Sequence, residues 1–371
     1  MYIERISILN FKNIADATLE FSPRVNCFLG LNGMGKSNLL EAIYFLSFVR
    51  SFGQLPDSAL IRHGQEMLMV QGVYQKQSGS MENISCGIVA GKRKTLKRNG
   101  KEYDKLSEHI GQFPIVVVSP QDSRIVSGSG EERRKLMDMV ISQADKTYLS
   151  QLIRYNKSLE QRNKMLRVGF KDKLLYDSIE SQMAQSADYI HAARTRWVEQ
   201  EMKEAFERYY RRIASSDEVA SIAYRSVLND MSLTDVFEQC RAKDEVLGYT
   251  SRGIHRDDLE MGLGGYSMRR LGSQGQLKTF TIALRFAIFE YLKRHSGVTP
   301  LLLLDDIFDK LDADRVQKIM EVVSANDVFG QIFITDTNRK HLDEILVQIG
   351  GDYRLLEVDH GRFAPISESM P

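Results

Sequence analysis

The sequence predicts an α/β fold that carries a mixed β-sheet lobe and is interrupted by an inserted helical arm. Three observations predict it. A glycine-rich turn, Gly30 to Ser37, stands between an apolar run of β character and one of helical spacing. Near the other end of the chain, a run of four leucines from Leu301 to Leu304 ends on the acidic pair Asp305-Asp306. Between them, from about Glu131 to Ile213, strand signals disappear and apolar residues recur at helical intervals. A chain of 371 residues is long for one core, which favours a large domain with an insertion, or two domains. The expected division is 1–130 and 246–371 as the two parts of one α/β domain, with 131–245 as the mainly helical arm.

Each element has its own signal. Ile3, Ile6 and Ile8 open a strand, a second is expected near Ala17 to Phe21, and Val25 to Leu29 forms the strand before the turn. Leu39, Ile43 and Leu46 then share one side of a helix. From Met67 to Tyr103 the pattern is short β segments, including Met69 to Tyr74 and a hairpin turning at Asn99-Gly100. Ile115 to Val118 reads as a buried strand. In the arm, Leu175, Ile179, Met183, Ala187 and Ile190 form a stripe that continues towards Trp197 and Phe206. After Ser251 come a helix over Gln274 to Leu292, amphipathic through Leu277, Phe280, Leu284 and Ile288, a strand at Leu301 to Leu304, a helix over Arg315 to Val323 and a strand at Gln331 to Ile334.

Composition excludes several classes. Fifty basic against forty-nine acidic residues give a net charge of +1, so this is no globally basic binder and any charged patch is local. Cys27, Cys86 and Cys240 are odd in number, far apart and without a C-x-x-C pair, which argues against a disulfide framework or zinc site. Met1 to Arg5 lacks an apolar signal core and no apolar run is long enough to span a bilayer, so a cytoplasmic location is expected.

The glycine-rich turn fills every fixed position of the phosphate-loop pattern G-x-x-x-x-G-K-[ST]. Gly30, Asn32, Gly33 and Gly35 let backbone N–H groups point at phosphate oxygens, and the new helix through Asn38 adds its positive end. Lys36 is expected to reach the β and γ phosphates of ATP, and Ser37 to ligate the accompanying Mg²⁺. Asp305 is expected to face that metal through water, and Asp306 to orient or deprotonate the attacking water. An Asp in that last role is shorter than a Glu, which predicts slow hydrolysis. Ser273-Gln274-Gly275-Gln276 precedes a helix; Ser273 is either its N-cap or part of a second phosphate grip with Gly275 and Gln276.

Basic residues concentrate in two places: Lys92, Arg93, Lys94, Lys97, Arg98 and Lys101 around the hairpin, and Arg154, Lys157, Arg162, Lys164, Arg167, Lys171 and Lys173 in the arm. Either run could track DNA phosphates, although a solvated charged face is the commoner cause.

The order of phosphate loop, Ser-Gln-Gly-Gln, apolar run with two aspartates, Asp312 and a strand ending Thr335-Asp336-Thr337 resembles the ATP-binding cassette superfamily, and hence an ABC-type ATPase head. Within it the chain is similar to the RecF family over nearly its full length. The resemblance is carried by Phe11-Lys12-Asn13, Glu41-Ala42-Ile43-Tyr44, Arg50-Ser51-Phe52, Pro120-Gln121, Gly128 with Arg133-Arg134 and Asp138, and Gly253-Ile254-His255-Arg256-Asp257-Asp258. It departs in carrying Ile254 where a proline is usual and Gln121 where many relatives have an acidic residue. The resemblance implies that Lys12 and Asn13 border the nucleotide, that Gln121 senses γ-phosphate and metal, that Ser273 contacts the nucleotide of a second subunit, and that Asp312 lies on the loop crossing the dimer interface. It further implies an ATP-dependent homodimer that engages duplex DNA near single-strand gaps, helps place RecA, and works with RecR and possibly RecO. A transporter cassette and a non-catalytic DNA scaffold with structural ATP are the alternatives.

Overall fold

The computed structural model describes residues 1–214, 218–308, 311–325, 328–349 and 352–366. In chain order it opens with β1 (Tyr2–Phe11), β2 (Ile14–Glu20), β3 (Val25–Leu29), α1 (Lys36–Phe48), β4 (Met67–Gln75), β5 (Met81–Val89), β6 (Thr95–Arg98), β7 (Lys101–Glu102) and β8 (Ile115–Val118). Then come α2 (Ser123–Ser127), α3 (Gly130–Ala144), α4 (Lys146–Arg167), α5 (Lys173–Arg196), α6 (Lys203–Ile213), β9 (Ala220–Arg225), α7 (Leu233–Leu247), β10 (Asp258–Leu263), β11 (Tyr266–Ser267) and α8 (Met268–Leu271). The chain continues through α9 (Gln274–His295), β12 (Leu301–Asp305), α10 (Ala313–Ser324), β13 (Ile332–Asp336), α11 (Arg339–Ile349), β14 (Tyr353–Asp359) and β15 (Arg362–Pro365). Packing divides it into two compact units, 1–122 with 288–371, and 123–287.

The first unit holds two sheets. One is six-stranded, β2-β1-β4-β5-β6-β7, with every pairing antiparallel. Its strands alternate: in β5, Glu82, Ile84, Cys86 and Ile88 point inward while Met81, Asn83 and Val89 point out. The expected hairpin turns at Asn99 (φ 50°) and Gly100 (φ 82°), the two positive φ values of a type I′ turn, and pairs Arg98 with Lys101. The other sheet runs β15-β14-β3-β13-β12-β8, parallel except for its β15 edge. β8, β12 and β13 are buried at every position, as parallel strands covered on both faces must be. Gln331 ties this region to the first sheet: its amide oxygen accepts from Ile3 N and its nitrogen donates to Ile3 O and Ser22 O, each at 2.8 Å.

Helix α1 departs from expectation. It packs against strands of both sheets, so Leu40, Ala42, Tyr44 and Phe45 are buried along with the expected Leu39, Ile43 and Leu46. A helix covered on all sides has no single apolar face. The same holds for α9, which is buried almost without break from Phe280 to Phe289, where one-sided amphipathicity was expected.

The second unit is built on the α4–α5 hairpin, whose stripe of Ile179, Met183, Ala187 and Ile190 is buried. Leu175, expected to begin that stripe, is 42 % exposed because it lies in the first turn of α5, beyond the packed length. One π-helical turn, Trp197–Met202, joins α5 to α6 and buries Trp197. Phe206 and Tyr210 of α6 meet Phe280 of α9 at ring separations of 4.6 Å and 6.0 Å. A three-stranded sheet, β11-β10-β9, completes the unit. Packing thus divides the chain at 122/123 and 287/288, whereas the expected division was 130/131 and 245/246. The antiparallel pairing of β9 with β10 and the aromatic contacts of α6 with α9 hold residues past 246 to the arm.

Candidate nucleotide site

The parallel sheet places the site. β3, β13, β12 and β8 lie side by side, so the turn after Leu29, Asp336, Asp305 and the Ser119–Gln121 segment fall along one carboxyl edge, where such sheets bind ligands. Gly33 (φ 83°) and Gly35 (φ 116°) take left-handed conformations that let the loop curl. Gly30 is required for space, because a Cβ there would sit 2.4 Å from Val358 O. Asn32 is exposed on the loop. Asn38 Nδ2 donates to Asn13 Oδ1 at 2.8 Å, and Asn13 Nδ2 donates to Met34 O at 3.1 Å, so these two side chains brace the loop. Lys12, at φ 50°, pairs with buried Glu41, which also accepts from Ser51 Oγ.

Lys36 is 5 % exposed and donates from Nζ to Gly30 O at 2.6 Å and Leu31 O at 3.0 Å. Burial draws its pKa down, against the upward pull of Asp306, Asp305 and Asp336. Ser37 Oγ donates to Asp305 Oδ1 at 2.8 Å, and Thr335 Oγ1 donates to the same oxygen at 2.7 Å. Burial raises the Asp305 pKa, opposed by the two hydroxyls. Asp306 follows in the left-handed region at φ 48°, its N–H donating to Thr335 O at 3.2 Å and Thr335 Oγ1 at 3.0 Å. A non-glycine residue held there is a local strain that surrounding structure must fix, and Thr335 fixes it. Sequence reading gave Thr335 no role; only the parallel pairing of Asp305 with Thr335 reveals it.

One hydroxyl and one carboxylate oxygen at hydrogen-bond distance form the sparse oxygen set that Mg²⁺ uses when phosphates and water complete its shell. The residues present fit that ion. Among the described residues no cluster of three or more His, Cys, Asp or Glu offers an all-protein metal cage. Gln121 is exposed in the turn Pro120–Asp122, where Ser119 N donates to Asp122 Oδ2 at 3.2 Å, and its side chain lies beside Gly53.

Ser273, Gly275 and Gln276 belong to the second unit. Ser273 N–H donates to Gln276 Oε1 at 2.8 Å and Gln276 N–H donates to Ser273 Oγ at 3.2 Å, a reciprocal capping box at the start of α9. Gln276 Nε2 reaches Glu218 at 2.8 Å. Asp312 likewise caps α10, accepting from Arg315 N at 2.9 Å. His341 likewise had no sequence signal: within α11, it donates through Nδ1 to Asp336 Oδ2 at 3.1 Å and packs 6.0 Å from the Phe308 ring.

The basic candidates separate sharply. Lys92, Arg93, Lys97, Arg154, Lys157 and Lys164 are exposed. Lys94 instead ties Val49 O (2.6 Å) to Asp57, and Arg98 forks onto Glu82 at 2.6 and 2.8 Å, holding that carboxyl down at about 2. Arg162 is a correction: it is fully buried, bonded to Glu180, Asp244 and Thr250 and lying 4.4 Å over the Phe237 ring, so it cannot reach DNA. Its helical spacing turns it towards α5 and α7, which a charge count does not see.

Among the described residues no helix is long and apolar enough to cross a membrane. The sequence profile of the RecF/RecN/SMC N terminal domain matches residues 2–353. The DNA replication and repair protein RecF of Parabacteroides distasonis is 49 % identical over 368 residues, 99 % of this chain and 100 % of that one. The solved structure of the recombination mediator protein RecF with ATP, from the RecFOR pathway, superposes with a TM-score of 0.87 at 30 % identity, covering 98 % of this chain and 99 % of its own. An Smc head domain with an extended coiled coil, from Pyrococcus furiosus, shares the fold at a TM-score of 0.60 and 17 % identity, over 98 % of this chain and 96 % of that one. With the SMC-like ATPase head, the phosphate loop on its carboxyl edge and near-complete matches in both sequence and structure, the chain belongs to the RecF family.

Proposed function

We propose that the protein binds and slowly hydrolyses ATP in DNA replication and recombinational repair, and that two copies closing on ATP form a clamp on duplex DNA near single-strand gaps. The observation that carries this reading is the convergence of Ser37 and Thr335 on one oxygen of Asp305, beside buried Lys36. Lys36 exchanges its loop carbonyls for β and γ phosphate oxygens, a stronger charge-assisted pairing. Ser37 directly and Asp305 through water would hold Mg²⁺, which would neutralise charge on those oxygens. Asp306 accepts the proton of the water that attacks the γ phosphorus as the bond to the bridging oxygen breaks and ADP leaves. Its short side chain makes this step slow.

Ser273 of a second copy contacts the γ phosphate, with Gly275 and Gln276 beside it and Asp312 at the interface. Gln121 responds to the metal and γ phosphate. Because ATP then bridges two surfaces, hydrolysis releases the dimer and times DNA engagement. Duplex DNA stimulates the reaction, and RecR, with RecO, couples the clamp to RecA placement on gapped DNA. The part in replication and repair is supported by the relatives' names, and ATP binding and the link to RecR and RecO by the ATP-bound RecF of the RecFOR pathway.

Sedimentation velocity with ATP, ADP and no nucleotide tests the clamp. Wild type is expected to dimerise with ATP alone, and Lys36→Met and Ser273→Arg to stay monomeric. A dimer indifferent to nucleotide and to both substitutions rejects it. Stimulation of turnover by duplex DNA at low salt tests the repair role; an unresponsive rate counts against it.

A further inference from the structure

Within residues 123–287, α3, α4, α5 and the turn at Ile254–Arg256 enclose a pocket of about 270 Å³ that has no part in the nucleotide site. Its wall carries Arg134, Lys135, Arg194, Asn156, Tyr155 and His255. The acids that also line it are matched one by one. Glu131 takes Lys135 Nζ at 2.8 Å, and Asp138 takes Arg194 Nη2 at 2.8 Å and the Tyr148 hydroxyl at 2.5 Å. The two carboxylates next along the chain are also claimed: Asp257 by Arg194 at 3.0 Å and by Tyr224, and Asp258 by the fork of Arg133 at 2.6 and 2.9 Å.

Arg134 is the remainder. Its Nη1 donates to a backbone carbonyl, Asp257 O, at 2.7 Å, and among the described residues it forms no ion pair. It is half-buried, and burial lowers its pKa, with Arg194 and Arg256 adding to that effect and Asp258 and Asp257 opposing it. His255 does not add to the charge. Its Nε2–H donates to Thr250 O at 3.0 Å, which leaves Nδ1 to accept from Tyr155 Oη at 2.8 Å in the neutral ring. The pocket therefore presents a planar guanidinium whose hydrogen bond goes to a carbonyl rather than a carboxylate, an ammonium at its rim in Lys135 that Glu131 shares, and a neutral amide in Asn156.

We propose that this pocket binds a phosphate group, with Arg134 as its fork, Lys135 as supporting charge and Asn156 as an amide donor. The planar guanidinium matches the geometry of phosphate oxygens, and the anion offsets the cost of holding the Arg134 charge half-buried without an ion pair. The group has two possible sources, a small phosphate compound or the DNA backbone. Neither depends on the reading of the nucleotide site.

Thermal unfolding in the Lys36→Met background, with inorganic phosphate titrated against chloride at constant ionic strength, tests the pocket apart from the phosphate loop. The melting temperature is expected to rise saturably, as for any ligand of the folded state. The rise is expected to vanish in Lys36→Met/Arg134→Gln and Lys36→Met/Lys135→Glu; the second keeps the proposal testable should the first not fold, since Lys135 is on the surface. No rise in the background variant, or an equal rise in all three, overturns the site. Anisotropy of a labelled duplex then separates the sources. A backbone phosphate predicts roughly tenfold weaker DNA binding in Lys135→Glu together with competition by inorganic phosphate. DNA binding that ignores both, alongside the thermal shift, assigns the pocket to a small phosphate compound.

Discussion

Arg162 shows how much a residue's role depends on what surrounds it. In sequence it is one of seven basic residues between Arg154 and Lys173, but its guanidinium is sealed against Glu180 and the fully buried Asp244. Removing one member of a buried pair leaves an uncompensated charge, at a cost of about 3 to 5 kcal/mol. Arg162→Ala is accordingly expected to lower stability by that amount in urea unfolding, while Lys157→Ala, on the exposed face, leaves it unchanged. Weaker DNA binding by Arg162→Ala with undiminished stability would return the residue to the DNA surface. His255 carries a pH signature. Burial lowers its pKa from 6.5 to about 4, so between those values the unfolded chain binds the extra proton and the folded one does not. Stability from this group is present above pH 6.5 and is lost as pH falls to about 4. His255→Gln should flatten that part of the stability profile, and an unchanged slope between pH 6.5 and 4 would show that other groups produce it.

At the scale of elements, the capping box resolves the two readings of the Ser-Gln-Gly-Gln segment into one local structure with two uses. Ser273 and Gln276 satisfy each other's N–H groups, which orders the exposed start of α9. Ser273→Ala and Gln276→Ala should each cost about 1 kcal/mol in thermal unfolding. The two should differ in dimerisation: if Ser273 meets the partner's nucleotide, its loss weakens the ATP dimer more than the loss of Gln276 does, and equal effects would reduce the segment to a cap. What was legible in the sequence follows the same physics. β8 and β12 read as strands because parallel pairing buries both faces, and Asn99-Gly100 read as a turn because its geometry demands two positive φ values. The phosphate loop and its aspartates were legible as a local pattern. Thr335 and His341 were not, since each acts through a partner brought close only by strand pairing or helix docking. α1 and α9 were mistaken for one-sided helices because apolar spacing on one face is visible even where the other faces are buried too.

For the whole molecule, a net charge of +1 leaves DNA binding to local surface, and the structure reduces that surface to two exposed groups. Lys92 and Arg93 stand in the connection between β5 and β6 of the first unit, with Lys97 on β6 and Lys101 on β7, and Arg154, Lys157, Lys164, Arg167, Lys171 and Lys173 stand along the helical hairpin of the second. Lys94 and Arg98 are held in ion pairs, so reversing them would test the fold rather than the interface. Each phosphate contact releases condensed counterions, and the slope of log affinity against log salt is about −0.9 per contact on duplex DNA. Triple substitution to glutamine in the group that tracks the backbone should therefore flatten that slope by two to three units, and the same change in the other group should leave it within about half a unit. The measurement is a duplex titration at four or more salt concentrations with ATP present. Equal flattening by both triple variants would mean that the duplex spans the two units, and no change in either would move the DNA contact away from both groups.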